Sequence, residues 1–154
     1  MITKGRSRTS IEIKLRTYKE KDYNSLRAVL KEADMFYPTW DNRNTLKQKL
    51  SSSPGSVIVA VKDDKVIGCV YVLSEIGGSL AHLAVKADFR GQGIGEQLLR
   101  KGEDFLKKKG VKEVTLFVDS KNTSLHSFYK KRRYVQRSSY LRFTKTLPSL
   151  SAHT

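Results

Sequence analysis

Arg90, Gly91, Gly93 and Gly95 stand at the junction between a strand-like apolar run and an amphipathic helical run, within residues 83–110, LAVKADFRGQGIGEQLLRKGEDFLKKKG. Glycines reach backbone angles closed to other residues, so successive N–H groups can converge on one anion where the helix dipole adds its positive end. Arg90 places a full positive charge beside them. The spacing is G-x-G-x-G, which departs from the G-x-G-x-x-G of dinucleotide sites, and no Lys-Ser or Lys-Thr pair follows as a P-loop requires. The residues therefore point to a diphosphate carried by some other ligand. A helix-capping turn that binds nothing is the alternative they leave open.

Other reactive side chains are few. The single cysteine, Cys69, lies in the apolar run VIGCVYVL. It has no basic neighbour to activate it and reads as a buried thiol in a reducing, cytoplasmic setting. No metal site is expected. The chain has 154 residues, 38% of them hydrophobic, which suffices for one ordinary core. The first ten residues contain no apolar segment of signal-peptide type, and no apolar run approaches the roughly 18 residues of a membrane span. The net charge of +15 suits a polyanionic partner. No Asp or Glu follows Asp119, whereas Lys121, Lys130, Lys131, Arg132, Arg133, Arg137, Arg142 and Lys145 do. Nucleic acid therefore stays open as a partner on charge alone, although no aromatic stacking pattern or known nucleic-acid module accompanies the charge.

The elements that would position these residues follow from periodicity. Ile11, Ile13 and Leu15 alternate with polar neighbours as in a half-buried strand. Tyr23, Leu26, Val29 and Leu30 share one helical face, and a second short helix is predicted from Asn42 to Leu50. SVIVAVKDDKVIGCVYVL reads as a hairpin around Asp63-Asp64, followed by a strand over about 80–86. A helix from Ile94 ends at Gly110, VKEVTLFV reads as a strand, NTSLHSFYKKR as a helix capped by Asn122, and YVQRSSYLRFTKTL as a closing strand. Residues 1–10 and 148–154 are expected to be tails around one domain over 11–147.

Arg90-Gly91-Gln92-Gly93-Ile94-Gly95 resembles the R/Q-x-x-G-x-G/A motif of the GNAT superfamily of N-acetyltransferases. Asn122, Tyr129 and Tyr134 fall where that family carries N-x-x-A-x-x-x-Y-x-K-x-G-F/Y. The resemblance implies an α/β (α+β) GNAT fold: a mixed, mostly antiparallel sheet of about six to seven strands with a splayed central pair, flanked by about four helices. It implies acetyl transfer from acetyl-CoA to a primary amine, by direct attack in a ternary complex, without a metal. Homodimers are common in the family. A noncatalytic acyl-CoA-binding or nucleic-acid-associated module on the same scaffold is the alternative function.

The resemblance also assigns roles. Leu83, Ala84 and Val85 would hold the pantetheine arm through their backbone, with an N–H near Leu83 on the thioester oxygen. Gln92, Gly93, Ile94, Gly95 and Glu96 would hold the diphosphate with Arg90 and Gly91 beside them. Asn122 would bond the pantetheine amides as well as cap its helix, and Tyr129 would protonate the leaving thiolate. Phe36, Tyr37 and Trp40 would wall the acceptor side. Two positions depart from the pattern: Leu125 stands for alanine and Arg133 for glycine, so that the helix exit is expected to use different backbone angles. The glutamate that often serves as base in the family is replaced at the matching positions by Ser79 and Phe117. Glu75, His82 and Asp119 are the remaining candidates, and strand alternation puts His82 on the face away from the cleft. Without a base, a lysine amine of pKa about 10.4 costs about 4.6 kcal/mol to deprotonate at pH 7, and an α-amine near pKa 8 about 1.4 kcal/mol. The expectation is a low-pKa acceptor amine, or one deprotonated through a water chain.

Overall fold

The computed structural model describes residues 12–74, 77–137 and 141–150. The chain falls into two compact units, residues 1–117 and 118–154, each with its own elements.

The first unit is built on a four-stranded antiparallel sheet in the order β1-β2-β3-β4: β1 Lys14–Thr17, β2 Val57–Lys62, β3 Lys65–Leu73 and β4 Ser79–Val85. β2 and β3 form the expected hairpin, with Lys62 opposite Lys65. Asp63 and Asp64 take φ of 51° and 64°. Positive φ at both central residues is what a type I′ turn demands, because its twist matches that of the strands. Helices α1 Tyr23–Glu32 and α2 Arg43–Ser52 precede the hairpin, and α3 Ile94–Lys108 follows β4. Leu26, Val29 and Leu30 of α1, with Leu46 of α2, are buried in one cluster with Val57, Val59, Cys69 and Tyr71. On the opposite face α3 packs closely because two glycines leave room. A Cβ on Gly102 would lie 2.8 Å from Leu80 Cδ2, and one on Gly68 would lie 3.1 Å from Leu98 Cδ1. Among the described residues no helix is long and apolar enough to cross a membrane.

The predicted strand over 111–118 is not formed as a ladder. It meets β4 at one parallel bridge, Ser79 with Thr115, made by Thr115 N–H to the Gly78 carbonyl (2.8 Å) and Leu80 N–H to the Thr115 carbonyl (3.2 Å). The reason lies in β4. Cys69 pairs with Ala84 and Tyr71 with Ala81, so His82 and Leu83 together oppose the single residue Val70. This β-bulge, with His82 at φ 52°, bends β4 just beyond the bridge and ends any further parallel pairing.

In the second unit, helix α4 spans Thr123–Lys131. No strand forms among the described residues of 134–147, part of which, 138–140, lies outside them. Leu141 and Phe143 keep the alternation that predicted a strand, but at 84% and 88% exposure neither has a face to cover. The predicted tail at 1–10, and residues 151–154 of the one predicted at 148–154, lie outside the described residues.

Three helices end in the same way. The N–H of Met35, Val111 and Tyr134 returns to the carbonyl of Leu30, Leu106 and Tyr129, while Asp34, Gly110 and Arg133 take positive φ and donate to Lys31, Lys107 and Lys130. This is the Schellman arrangement, in which a left-handed residue lets two orphan carbonyls be satisfied. The expectation that Arg133 would change the exit angles is corrected: at φ 70° it adopts the conformation of the glycine it replaces. Arg133→Gly should stabilise the protein by about 1 kcal/mol, because an L-residue pays a steric cost there, and denaturant melting of the pair measures it.

The β1–α1 junction is tied by Asp22, which is 1% exposed and accepts from Arg16 Nη1 and Nη2 at 2.8 and 2.9 Å and from the Lys19 N–H at 2.8 Å. Burial alone would raise its pKa, but the Arg16 bonds and the Lys19 N–H outweigh burial and hold the carboxyl below its ordinary value. A depressed folded-state pKa contributes stability above the unfolded value of about 3.9 and loses it as pH falls through the folded value. Asp22→Asn should cost about 2 kcal/mol at pH 7, less than a fully buried pair because Arg16 is 26% exposed. The difference from wild type in urea melts should shrink as pH drops below about 4.

Candidate active site

The glycines read as an anion cradle form the turn between β4 and α3. Gly91 and Gly93 take φ of 79° and 82°, and a Cβ on either would meet nothing within 4 Å, so the turn is left-handed and open. Gly93 is the N-cap of α3 and brings no capping side chain, and the first intrahelical bond runs from Gln97 N–H to its carbonyl (3.1 Å). The N–H groups of Ile94 and Gly95 therefore open on the helix pole without an intrahelical acceptor. Buried Ile94 fixes the first turn against the core, and exposed Gln92 sits between the two left-handed glycines. Arg90 is anchored by its Nε–H to the Val85 carbonyl at 2.9 Å, which ties the turn to the end of β4. Glu96 forms an i,i+4 ion pair with Arg100 at 2.7 Å.

Upstream, the bulge releases Leu83 from the β3 ladder, while Leu83 and Ala84 stay buried. The bulge also redirects His82. Leu80 faces α3, so strict alternation would send His82 there too; the extra residue and φ of 52° turn it to the α1–α2 side instead. That corrects the face assigned by alternation. Its Nε2 lies 3.0 and 3.1 Å from the two carboxylate oxygens of Asp41, in the α1–α2 connection. Asp41 is 1% exposed and accepts in addition from the Tyr71 hydroxyl (3.1 Å) and the Tyr37 N–H (2.8 Å). Burial, then the Asp41 charge, pushes the Tyr71 hydroxyl well above its ordinary pKa, so it remains a donor. Burial, again with the Asp41 charge, pushes the Cys69 thiol up, and its Sγ–H reaches the His82 carbonyl at 3.3 Å.

The aromatic residues divide. Tyr37 stacks on the His82 ring at 5.8 Å and lies 6.0 Å from Trp40, with 43% and 62% of the two tyrosine and tryptophan surfaces exposed. Phe36 leaves this group: it packs half-buried on the core under Arg27 and Lys31, 5.2 and 5.4 Å from its centroid. Glu75 lies outside the described residues. Ser79 makes the bridge to Thr115, and Phe117 is 74% exposed. Asp41 and Tyr71 are the residues that sequence reasoning missed. Neither is singled out by the sequence, because nothing in their spacing announces that a bulge brings His82 to both.

In the second unit Asn122 caps α4, its Oδ1 accepting from the Leu125 N–H at 3.2 Å. Asp119 is spent on the turn before it, accepting the Lys121 N–H at 2.8 Å and offering its carbonyl to His126 Nε2 at 2.9 Å. Tyr129 is 7% exposed and packs edge-on to Phe128 and Tyr134 at 5.3 and 5.5 Å. Burial pushes its hydroxyl up to about 12, so the group is held as O–H at neutral pH.

The sequence profile of the Acetyltransferase (GNAT) family matches residues 19–134, and the chain belongs to this family of acyl-CoA-dependent acetyltransferases. An acetyltransferase of Sodalis glossinidius is 26% identical over 141 residues, 88% of this chain and 96% of its own. N-alpha-acetyltransferase 30 of Schizosaccharomyces pombe is 31% identical over 84 residues, 51% of this chain and 56% of its own. The PaiA N-acetyltransferase of Thermoplasma acidophilum, solved with coenzyme A, shares the fold with a TM-score of 0.68 at 24% identity, over 79% of this chain and 89% of its own.

Gly93→Val should weaken acetyl-CoA binding at least tenfold by calorimetric titration, because a β-branched residue is excluded from φ 82° and fills the open cradle. Unchanged affinity would remove the turn from the ligand site.

Proposed function

We propose that the protein transfers the acetyl group of acetyl-CoA directly to a primary amine within a ternary complex. The observation that carries this reading is the left-handed, unobstructed Gly91–Gly93 turn opening α3 a few residues beyond a bulged β4. The turn supplies donors for a diphosphate, with Arg90 alongside. The backbone of Leu83, Ala84 and Val85 takes the pantetheine arm, and a β4 N–H near Leu83 meets the oxyanion that develops on the thioester oxygen. Asn122 contributes its amide nitrogen while its oxygen caps α4.

In the reaction the amine nitrogen forms a bond to the thioester carbon as the carbon–sulfur bond breaks. The departing thiolate takes the Tyr129 hydroxyl proton. The acceptor is an α-amine. Its lower deprotonation cost at neutral pH favours it over a lysine side chain, and the name of the fission-yeast relative, an N-alpha-acetyltransferase, points the same way. One catalytic domain over 11–147 and a cytoplasmic setting, consistent with a single buried free thiol, complete the reading.

Tyr129→Phe should lower kcat about 10²-fold while the Kd for acetyl-CoA stays within twofold, read by thiol release and calorimetry. At pH 7 glycinamide should exceed Nα-acetyl-lysine amide in kcat/KM at least tenfold, by the difference in neutral fraction. A reversed preference would overturn the acceptor class, and no turnover on either amine would overturn the transfer itself.

A further inference from the structure

The structure assigns the proton-accepting role to the pair Asp41–His82, an inference that rests on the acetyl-transfer reading above. The amine that attacks a thioester must lose a proton, and Asp119, the acidic candidate that falls among the described residues, is committed to the turn before α4. His82 is placed differently. A carboxylate can only accept, so Asp41, 3.0 Å away, holds the hydrogen on Nε2 and leaves the ring lone pair on Nδ1. Nδ1 has no hydrogen-bond partner among the described residues.

The arrangement is built rather than incidental. Asp41 is fully buried at its side chain, and each of its oxygens carries a neutral donor besides His82: the Tyr71 hydroxyl on Oδ1 and the Tyr37 N–H on Oδ2. A buried carboxylate held by these two donors presents its remaining acceptor capacity to one imidazole and so fixes that ring's tautomer and orientation. The imidazole in turn adjoins the bulge that frees Leu83, and one face of it lies against Tyr37, whose neighbour Trp40 is the most exposed aromatic of the α1–α2 connection. The bulge itself is costly: a left-handed histidine inside a strand is strained, and such strain persists where the surroundings hold it.

The step balances as follows. The amine nitrogen bonds to the thioester carbon, and its proton passes to His82 Nδ1. The carbon–sulfur bond breaks and the thiolate is protonated by Tyr129. Afterwards His82 returns its proton to water and Tyr129 regains one, so no other reactant is needed. Asp41 touches neither reactant and acts as a positioning residue through the His82 tautomer.

His82→Gly tests this, because glycine suits φ 52° and keeps the bulge while removing the ring. With acetyl-CoA and glycinamide, kcat should fall about 10²-fold, the acetyl-CoA Kd should hold, and added imidazoles should restore turnover in proportion to their basicity. Asp41→Asn should lose about tenfold or more in kcat, since its amide nitrogen forces the imidazole into the opposite tautomer. A His82→Gly enzyme within threefold of wild type, or a loss that no imidazole relieves, would overturn the assignment and leave the pair as a latch between β4 and the α1–α2 connection. Wild-type protein inert towards glycinamide and Nα-acetyl-lysine amide alike would instead overturn the transfer reading.

Discussion

One extra residue in β4 governs the arrangement of the first unit. Because His82 and Leu83 together oppose Val70, the strand cannot remain straight, and three consequences follow at once. The parallel pairing that begins at Ser79 and Thr115 goes no further, a stretch of backbone leaves the antiparallel ladder, and His82 rotates to the side carrying Asp41. None of these could be had separately. A bulge raises local twist and leaves a residue unpaired by its nature, and here the unpaired backbone stands directly before the glycine turn. The cost of a left-handed histidine is offset by a bifurcated Nε2–H bond to Asp41, ring contacts with Tyr37 and Tyr71, and the Cys69 thiol on the His82 carbonyl.

Left-handed residues recur wherever the chain must stop or reverse. Asp34, Gly110 and Arg133 end helices with the same pair of returning bonds, and Asp63-Asp64 turns the hairpin. Only one of those positions in the helix exits is glycine. Asp tolerates this conformation better than most residues because its short polar side chain can bond locally, whereas Arg133 has no such advantage. Capping of α4 is thus achieved by geometry rather than by residue type, and the motif survives the loss of its usual glycine.

Much of this was legible in the chain itself. Alternation at Leu15, the Asp63-Asp64 turn, the face of Leu26, Val29 and Leu30, the Asn122 cap and the turn at Gly91–Gly95 all depend on residues close in sequence, where period and turn chemistry carry the information. The strand expected over 111–118 failed for a nonlocal reason: its own residues favour extension, but its neighbour bends away. The same holds for His82. Alternation assigns a face only while the ladder is regular, and no feature of SLAHLAV marks the inserted residue. Asp41 was hidden likewise, since the burial of a loop aspartate is decided by partners about thirty and forty residues distant, Tyr71 and His82.

The bond from Arg90 to the Val85 carbonyl has a metrical consequence. It closes off the last acceptor of β4 and rivets the glycine turn to the strand end, so that the cradle and the bulge become two marks on one short, rigid stretch of chain. A ligand that places its diphosphate at one mark must bring its acyl group to the other. Under the acetyl-transfer reading proposed above, selection among thioesters then depends on the length of the linking arm, measured against a ruler of backbone, before any side chain touches the acyl group.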